Sequence, residues 1–147
     1  EPVISTALYP TCLAAAGLPA RPPQHQDGLN LRPLLGGEGS LGRPALFWHY
    51  PHYNEHPSSV PCSVIRSGRW KLIETFDPPG LELFDLVADP GELSSVAADQ
   101  SAICDQLLGQ LTTWRTTVDA ELMRPNPNWD PAAAAKKRRK GSKQNVE

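Results

Sequence analysis

The clearest periodic pattern lies over residues 100–122. Ile103, Leu107, Leu111, Trp114, Val118 and Leu122 recur every three or four positions and draw one apolar stripe along a helix. Asp99 or Ser101 stands where a cap belongs, and Pro125 and Pro127 stop the run. Such a stripe has to be buried, most economically on one face of a sheet. The preceding segment supplies one. Ala45–Tyr50, Cys62–Arg66, Trp70–Phe76 and Leu81–Leu86 read as strands, with Ser67-Gly68 marking a hairpin and Asp77-Pro78-Pro79-Gly80 a reversal. The class this predicts is α+β: an antiparallel sheet of about four strands packed against a long C-terminal helix.

Upstream, residues 3–18 predict a shorter helix after a brief lead-in. Leu8, Cys12 (or Thr11), Ala15 and Leu18 form its apolar line, Thr6 its N-cap, and Gly17 and Pro19 its end. Pro10 falls in the first turn, where a missing N–H is tolerated. Residues 19–44 are loop-rich, with one helical turn predicted at Leu31–Leu35. Beyond Asn126 the periodicity is lost, and Ala132–Lys143 predicts a disordered tail.

Composition sharpens this picture. Proline is high, 16 of 147 residues, which favours turns over long elements. Hydrophobic residues make up 39%, low for a chain that buries a core along its whole length. The net charge of −2 hides a split: without residues 136–147 the body holds eight basic and 15 acidic side chains, and the tail is basic. An acidic body gives no sign of nucleic-acid binding. Three cysteines cannot all pair, and none are in C-x-x-C spacing. Cys12 and Cys104 read as small buried residues, although one disulfide and the redox compartment stay open. No stretch is apolar enough to span a bilayer. The chain opens on Glu1, without a signal-peptide pattern, inside what reads as a continuing element.

Three segments carry a resemblance. The first is Val3-Ile-Ser-Thr-Ala-Leu-Tyr-Pro-Thr11 through Ala16-Gly17-Leu18, then Asp27-Gly28 and Leu31-Arg-Pro-Leu-Leu35. The second is Ala45-Leu-Phe-Trp-His-Tyr-Pro-His-Tyr53 with Val64-Ile-Arg-Ser-Gly-Arg-Trp-Lys-Leu-Ile73. The third is Leu81-Glu-Leu-Phe-Asp-Leu86 with Asp89-Pro-Gly-Glu92. Their order and spacing over about residues 3–129 resemble the C-terminal part of the sulfatases, in the alkaline-phosphatase-like superfamily. Ala7 replaces the family's usual Asp, and Ser95 stands where an Asn is common. The resemblance implies that residues 1–44 are the trailing edge of a large α/β domain, 45–129 the small C-terminal subdomain and 130–147 a basic tail. It also implies an upstream catalytic domain as partner, calcium in the full-length enzyme, a sulfated small molecule or carbohydrate as substrate, and export to the periplasm or outside the cell.

The family's nucleophile motif, C/S-x-P/A-x-R, is not found. Cys62-Ser-Val-Ile-Arg66 has its end residues but Val64 in place of Pro or Ala, and reads as a strand. No metal site and no catalytic residue is expected in this chain, which is not expected to be active alone. Asp85 and Asp89 read as turn-forming carboxylates. Arg66, Arg69 and Lys71 read as hairpin charges, Arg66 paired to an acidic neighbour. His49, His52 and His56 lie among Trp48, Tyr50 and Tyr53, which the resemblance places at the mouth of the pocket. His49 and His52 are the candidate substrate contacts. The competing readings are a non-catalytic folding or interaction module, and a fragment of a related phosphodiesterase or phosphonate hydrolase.

Overall fold

The structure, a computed structural model, describes residues 1–54 and 59–128. His56 and the expected tail at 130–147 lie outside the described residues. Four strands form one antiparallel sheet in sequential order: β1 (Leu46–Tyr50), β2 (Cys62–Ser67), β3 (Trp70–Phe76) and β4 (Pro79–Asp85). The long helix α3 (Ser101–Thr117) packs on it, so the fold is α+β as the pattern predicts.

Side chains alternate between the faces of a strand, so the register sorts them into rows. Phe47, Ile65, Leu72 and Leu83 form one row, and α3 lays Cys104, Leu107 and Leu111 upon it. Ile65, Leu72, Leu83 and Leu111 are fully buried. Each such side chain contributes about 1.5–3 kcal/mol by leaving water. The next row on this face is His49, Ser63, Glu74 and Leu81. The opposite face carries the rows Leu46, Arg66, Lys71, Phe84 and Trp48, Val64, Ile73, Glu82.

Boundaries differ from expectation for identifiable reasons. Ser67 pairs with Trp70, so the β2–β3 turn is Gly68-Arg69 rather than Ser67-Gly68, with Gly68 at φ +56° where a side chain would be strained. Strand β4 begins at Pro79 because it is an edge strand, where a missing N–H interrupts no ladder; the turn shrinks to Asp77-Pro78. Helix α3 stops at Thr117. Asp119 takes φ +52°, and the N–H groups of Asp119 and Ala120 return to the carbonyls of Thr116 (3.3 Å) and Arg115 (2.9 Å). This is a Schellman closure with Asp in the place glycine usually holds. Val118 and Leu122 therefore fall off the stripe and are exposed. Neither Asp99 nor Ser101 caps the helix; Gln100 is its N-cap and makes no side-chain capping bond.

Helix α1 (Leu8–Ala15) follows a 3-10 turn at Ser5–Ala7, so Thr6 lies within a turn instead of capping a helix. Its hydroxyl donates to the Asp27 carbonyl at 3.4 Å. The face of α1 buried in this chain is Ala7, Pro10 and Leu13, against the Asp27–Leu31 loop and the one-turn α2 (Arg32–Leu35). Thr11 ties them, donating to the Ala7 carbonyl (2.6 Å) and accepting from the Leu31 N–H (2.9 Å). Gly28 passes so close that a Cβ would sit 2.4 Å from the Thr6 carbonyl oxygen. The predicted apolar line is turned outward: Leu8 and Leu18 are exposed, and so is Cys12, which was expected to be buried. Cys104 is buried in the core, as expected.

Candidate functional site

The chemistry-bearing residues gather where β1 ends. The two candidate histidines stand in different settings. His49 points to the α3 side of the sheet, in the row of Ser63 and Glu74. His52, two residues past the strand, keeps its ring against Tyr50 at 5.6 Å between centroids, beside the exposed Tyr53. The structure thus does not bring His49 and His52 together.

His49 is held by a network that fixes its tautomer. Nε2 lies 2.7 Å from the Glu121 carbonyl oxygen, which can only accept, so Nε2 carries the proton. Nδ1 lies 2.7 Å from Ser63 Oγ. Arg115 Nη1 donates to the same oxygen at 3.2 Å, which leaves the hydroxyl proton of Ser63 to be given to Nδ1. Arg115 is also ion-paired to Glu74 and stands over the Phe76 ring at 5.7 Å. Phe76 meets the His49 ring edge-on at 5.9 Å. Ser63 is fully buried with its hydroxyl satisfied on both sides. The network joins β1, β2, β3 and α3 to the segment after α3. Ser63 was legible as an inward polar residue, one alternation from Ile65. Arg115 was hidden one position off the apolar stripe.

Tyr53 donates a short hydrogen bond to Asp77, and that bond raises its phenol pKa above the ordinary value. Cys62 opens β2 and Arg66 lies four residues on along the same face, roughly 13 Å apart at about 3.3 Å per residue. Burial pushes the Cys62 thiol pKa up, against a smaller opposing pull from Lys71, which disfavours the thiolate. The turn carboxylates act structurally. Asp85 pairs with Arg69 and accepts from the N–H groups of Val87 and Ala88; the Arg69 hydrogen bond first, then those backbone bonds, hold its pKa below the usual carboxylate range. Asp89 accepts from Leu93 N–H (2.7 Å) and Ser94 N–H (2.9 Å). Ser95, in the family's Asn position, accepts from the Leu83 N–H at 3.1 Å and so still ties the loop to β4.

Lys71 reaches Glu92 at 2.5 Å, but Arg66 does not pair with an acidic neighbour as expected. No ion pair reaches it among the described residues, and its buried Nε has no hydrogen-bond partner. The described residues also contain no group of three or more His, Cys, Asp or Glu side chains able to hold a metal. Calcium, implied by the resemblance, thus finds no ligand set among them.

Residues 1–117 match the family model described as N-sulphoglucosamine sulphohydrolase, C-terminal. The chain belongs to this sulfatase C-terminal family. It is 32% identical over 110 residues to arylsulfatase K of Rattus norvegicus, a match covering 71% of this chain and 19% of that one. Among solved structures, BT4656 in complex with its substrate D-glucosamine-2-N,6-O-disulfate aligns with a TM-score of 0.63 at 27% identity, over 75% of this chain and 23% of that one. The phosphonate monoester hydrolase of Silicibacter pomeroyi aligns with a TM-score of 0.55 at 26% identity, over 76% of this chain and 24% of that one. The chain spans about a fifth to a quarter of these relatives. No helix among the described residues is long and apolar enough to cross a membrane.

Proposed function

We propose that this chain is the C-terminal portion of a sulfuric ester hydrolase acting on carbohydrate sulfates, completing its fold and forming one wall of its substrate pocket. The family match across residues 1–117, aligned with a quarter or less of larger enzymes, carries this reading. In it, residues 1–44 are the trailing edge of the α/β domain, 45–129 the C-terminal subdomain and 130–147 a basic extension. The nucleophile and the divalent cation, calcium, belong to the upstream catalytic domain. That chemistry needs a charge-neutralising cation at the sulfate oxygens; this chain's residues shape and orient instead.

The substrate wall is the end of β1. His52 is exposed beside the rings of Tyr50 and Tyr53, an apolar surface with polar edges that suits a sugar ring and its hydroxyls. His49 serves the same wall differently. Both its ring nitrogens are engaged within the chain, so it positions the strand end from which His52 and Tyr50 project. In the full-length enzyme, His52→Ala should raise KM for a sulfated saccharide while leaving kcat nearly unchanged, the mark of lost ground-state binding. His49→Ala should do the same through displacement of the strand end. Unchanged kinetics in both variants would remove the assignment.

The likeness to a phosphonate monoester hydrolase keeps a second reading in view, a fragment of a phosphonate or phosphodiester hydrolase. Turnover of a phosphonate monoester in preference to any sulfate ester by the full-length protein would select it.

A further inference from the structure

Tyr53 stands past the end of β1, where no strand ladder holds the chain, and it is 63% exposed. Its hydroxyl nevertheless has a fixed partner. It donates to Asp77, the residue that follows β3, so the contact reaches past the end of β2, the strand between them. Asp77 is itself well seated. Thr75 Oγ1 donates to the Pro78 carbonyl at 2.8 Å and holds the turn, and the Phe76 N–H donates to the carbonyl of the buried Pro61 at 2.9 Å. The connection from β1 to β2 is thus tied to the β3–β4 turn near both its ends, by Tyr53 and by Pro61. A phenol bound in this way offers a ligand its ring face, because its hydroxyl proton is already engaged. Asp77 is exposed, and no cation pairs with it among the described residues. An exposed aromatic face therefore stands beside an uncompensated carboxylate. That combination suits a neutral sugar ring with hydroxyl donors. It opposes a sulfate group, which is negative and has no proton to donate.

We propose that Tyr53 and Asp77 form one specificity-determining unit: Asp77 positions the Tyr53 ring against an unsulfated part of the saccharide and keeps a second sulfate off that part of the wall. This rests on the reading that the chain lines the pocket of a carbohydrate sulfatase. The sulfate to be cleaved belongs beside a cation in the upstream domain, and a carboxylate next to it would work against binding. Tyr53 therefore meets the sugar away from that group. The pair does two separable things. The hydrogen bond fixes the ring, and the charge sorts substrates. Three substitutions tell them apart. Tyr53→Phe removes the bond and keeps the charge, Asp77→Asn keeps an acceptor and removes the charge, and Asp77→Ala removes both.

The test uses the full-length polypeptide and two readouts. Tetranitromethane nitrates tyrosine through its phenolate, and the Asp77 hydrogen bond disfavours that form of Tyr53. Mapped by peptide mass, nitration of Tyr53 should be several-fold faster in Asp77→Ala than in the wild type, with Tyr9 as the unchanged internal reference. The second readout is hydrolysis of amino-sugar disaccharides carrying one sulfate, against the same disaccharides with a second sulfate on the other ring. On the singly sulfated probe, Tyr53→Phe and Asp77→Ala should each raise KM several-fold with kcat moving far less, and Asp77→Asn should raise it less than Asp77→Ala does. The wild type should prefer the singly sulfated probe in kcat/KM. Asp77→Asn should narrow that preference several-fold, and Tyr53→Phe should keep it. Tyr53→Phe deletes one exposed oxygen, so it carries the KM prediction even where Asp77→Ala fails to fold. An active enzyme overturns the proposal in any of three ways: Tyr53 nitrates no faster in Asp77→Ala, KM is the same in Tyr53→Phe as in the wild type, or the second sulfate is tolerated equally by the wild type and Asp77→Asn. A wild type that hydrolyses neither disaccharide sinks the carbohydrate-sulfatase reading itself, and the sorting role falls with it.

Discussion

Separating this chain from an N-terminal domain should expose an apolar surface it cannot cover. The exposed leucines of the segment that holds α1 and α2 are the place to perturb. Leu8 is 60% exposed, Leu18 54% and Leu35 76%. Full burial of a leucine side chain contributes about 1.5–3 kcal/mol, so covering the exposed fractions of these three amounts to roughly 3–6 kcal/mol. That rivals the whole stability of an ordinary domain, about 5–15 kcal/mol. The same triple substitution, Leu8→Gln with Leu18→Gln and Leu35→Gln, should then act in opposite directions in two settings. In the isolated chain it should lower dye binding to apolar surface and reduce self-association in sedimentation, with little loss of structure. In the full-length polypeptide it should raise hydrogen exchange across residues 5–35 by an opening free energy of the same roughly 3–6 kcal/mol. A wild-type isolated chain that sediments as a monomer, binds no dye and melts cooperatively would refute the reasoning, as would a triple variant that leaves exchange in the full-length protein untouched.

Three further outcomes follow from individual contacts. Ser63→Ala removes the oxygen shared by His49 and Arg115 and should lower the opening free energy of β1–β2 by about 1–3 kcal/mol, read by hydrogen exchange in the full-length protein; protection equal to wild type would mean the network is idle. Gly28→Ala places a methyl group against the Thr6 carbonyl, a backbone atom that cannot swing aside, and should cost about 1–3 kcal/mol in the same assay over residues 5–31. Asp85 has a depressed folded-state pKa, so its contribution is complete above the unfolded carboxylate value near ~3.9 and is lost as pH falls through the folded value; carboxyl NMR should show titration below that of a free Asp, returning upward in Arg69→Met.

The four strands and the long helix were legible because both periods are strong there: inward Ile65, Leu72 and Leu83 alternate with outward neighbours, and Ile103, Leu107 and Leu111 keep helical spacing. What failed were ends set by backbone geometry that residue type signals weakly. The stop of α3 uses Asp119 in a left-handed conformation, and sequence rules look for glycine or proline there. The start of β4 at Pro79 needs knowledge that the strand is an edge. The outward turn of Leu8 and Cys12 could not be read at all, since a helix with apolar residues on more than one side does not say which neighbour is present. His49 and His52 stand in different settings, His49 within β1 on the α3 side and His52 beyond the strand end against Tyr50, and residue type alone carries no sign of that difference.

That separation is consistent with how a pocket wall has to be built. A side chain that meets ligand needs freedom at its polar edge, while the strand beneath it must stay in place to a fraction of an ångström. In the proposed wall, His52 and Tyr50 supply the first requirement from the open side. His49, with Ser63, Arg115 and Glu74, supplies the second from the closed side, linking the strand end to α3 and to the Glu121 carbonyl through polar contacts inside an otherwise apolar layer. A hydrophobic residue at position 63 could fill the space, but it would leave the His49 Nδ1 and one Arg115 donor without partners. On the proposed reading, the buried serine holds the wall in front of it by giving both groups a partner.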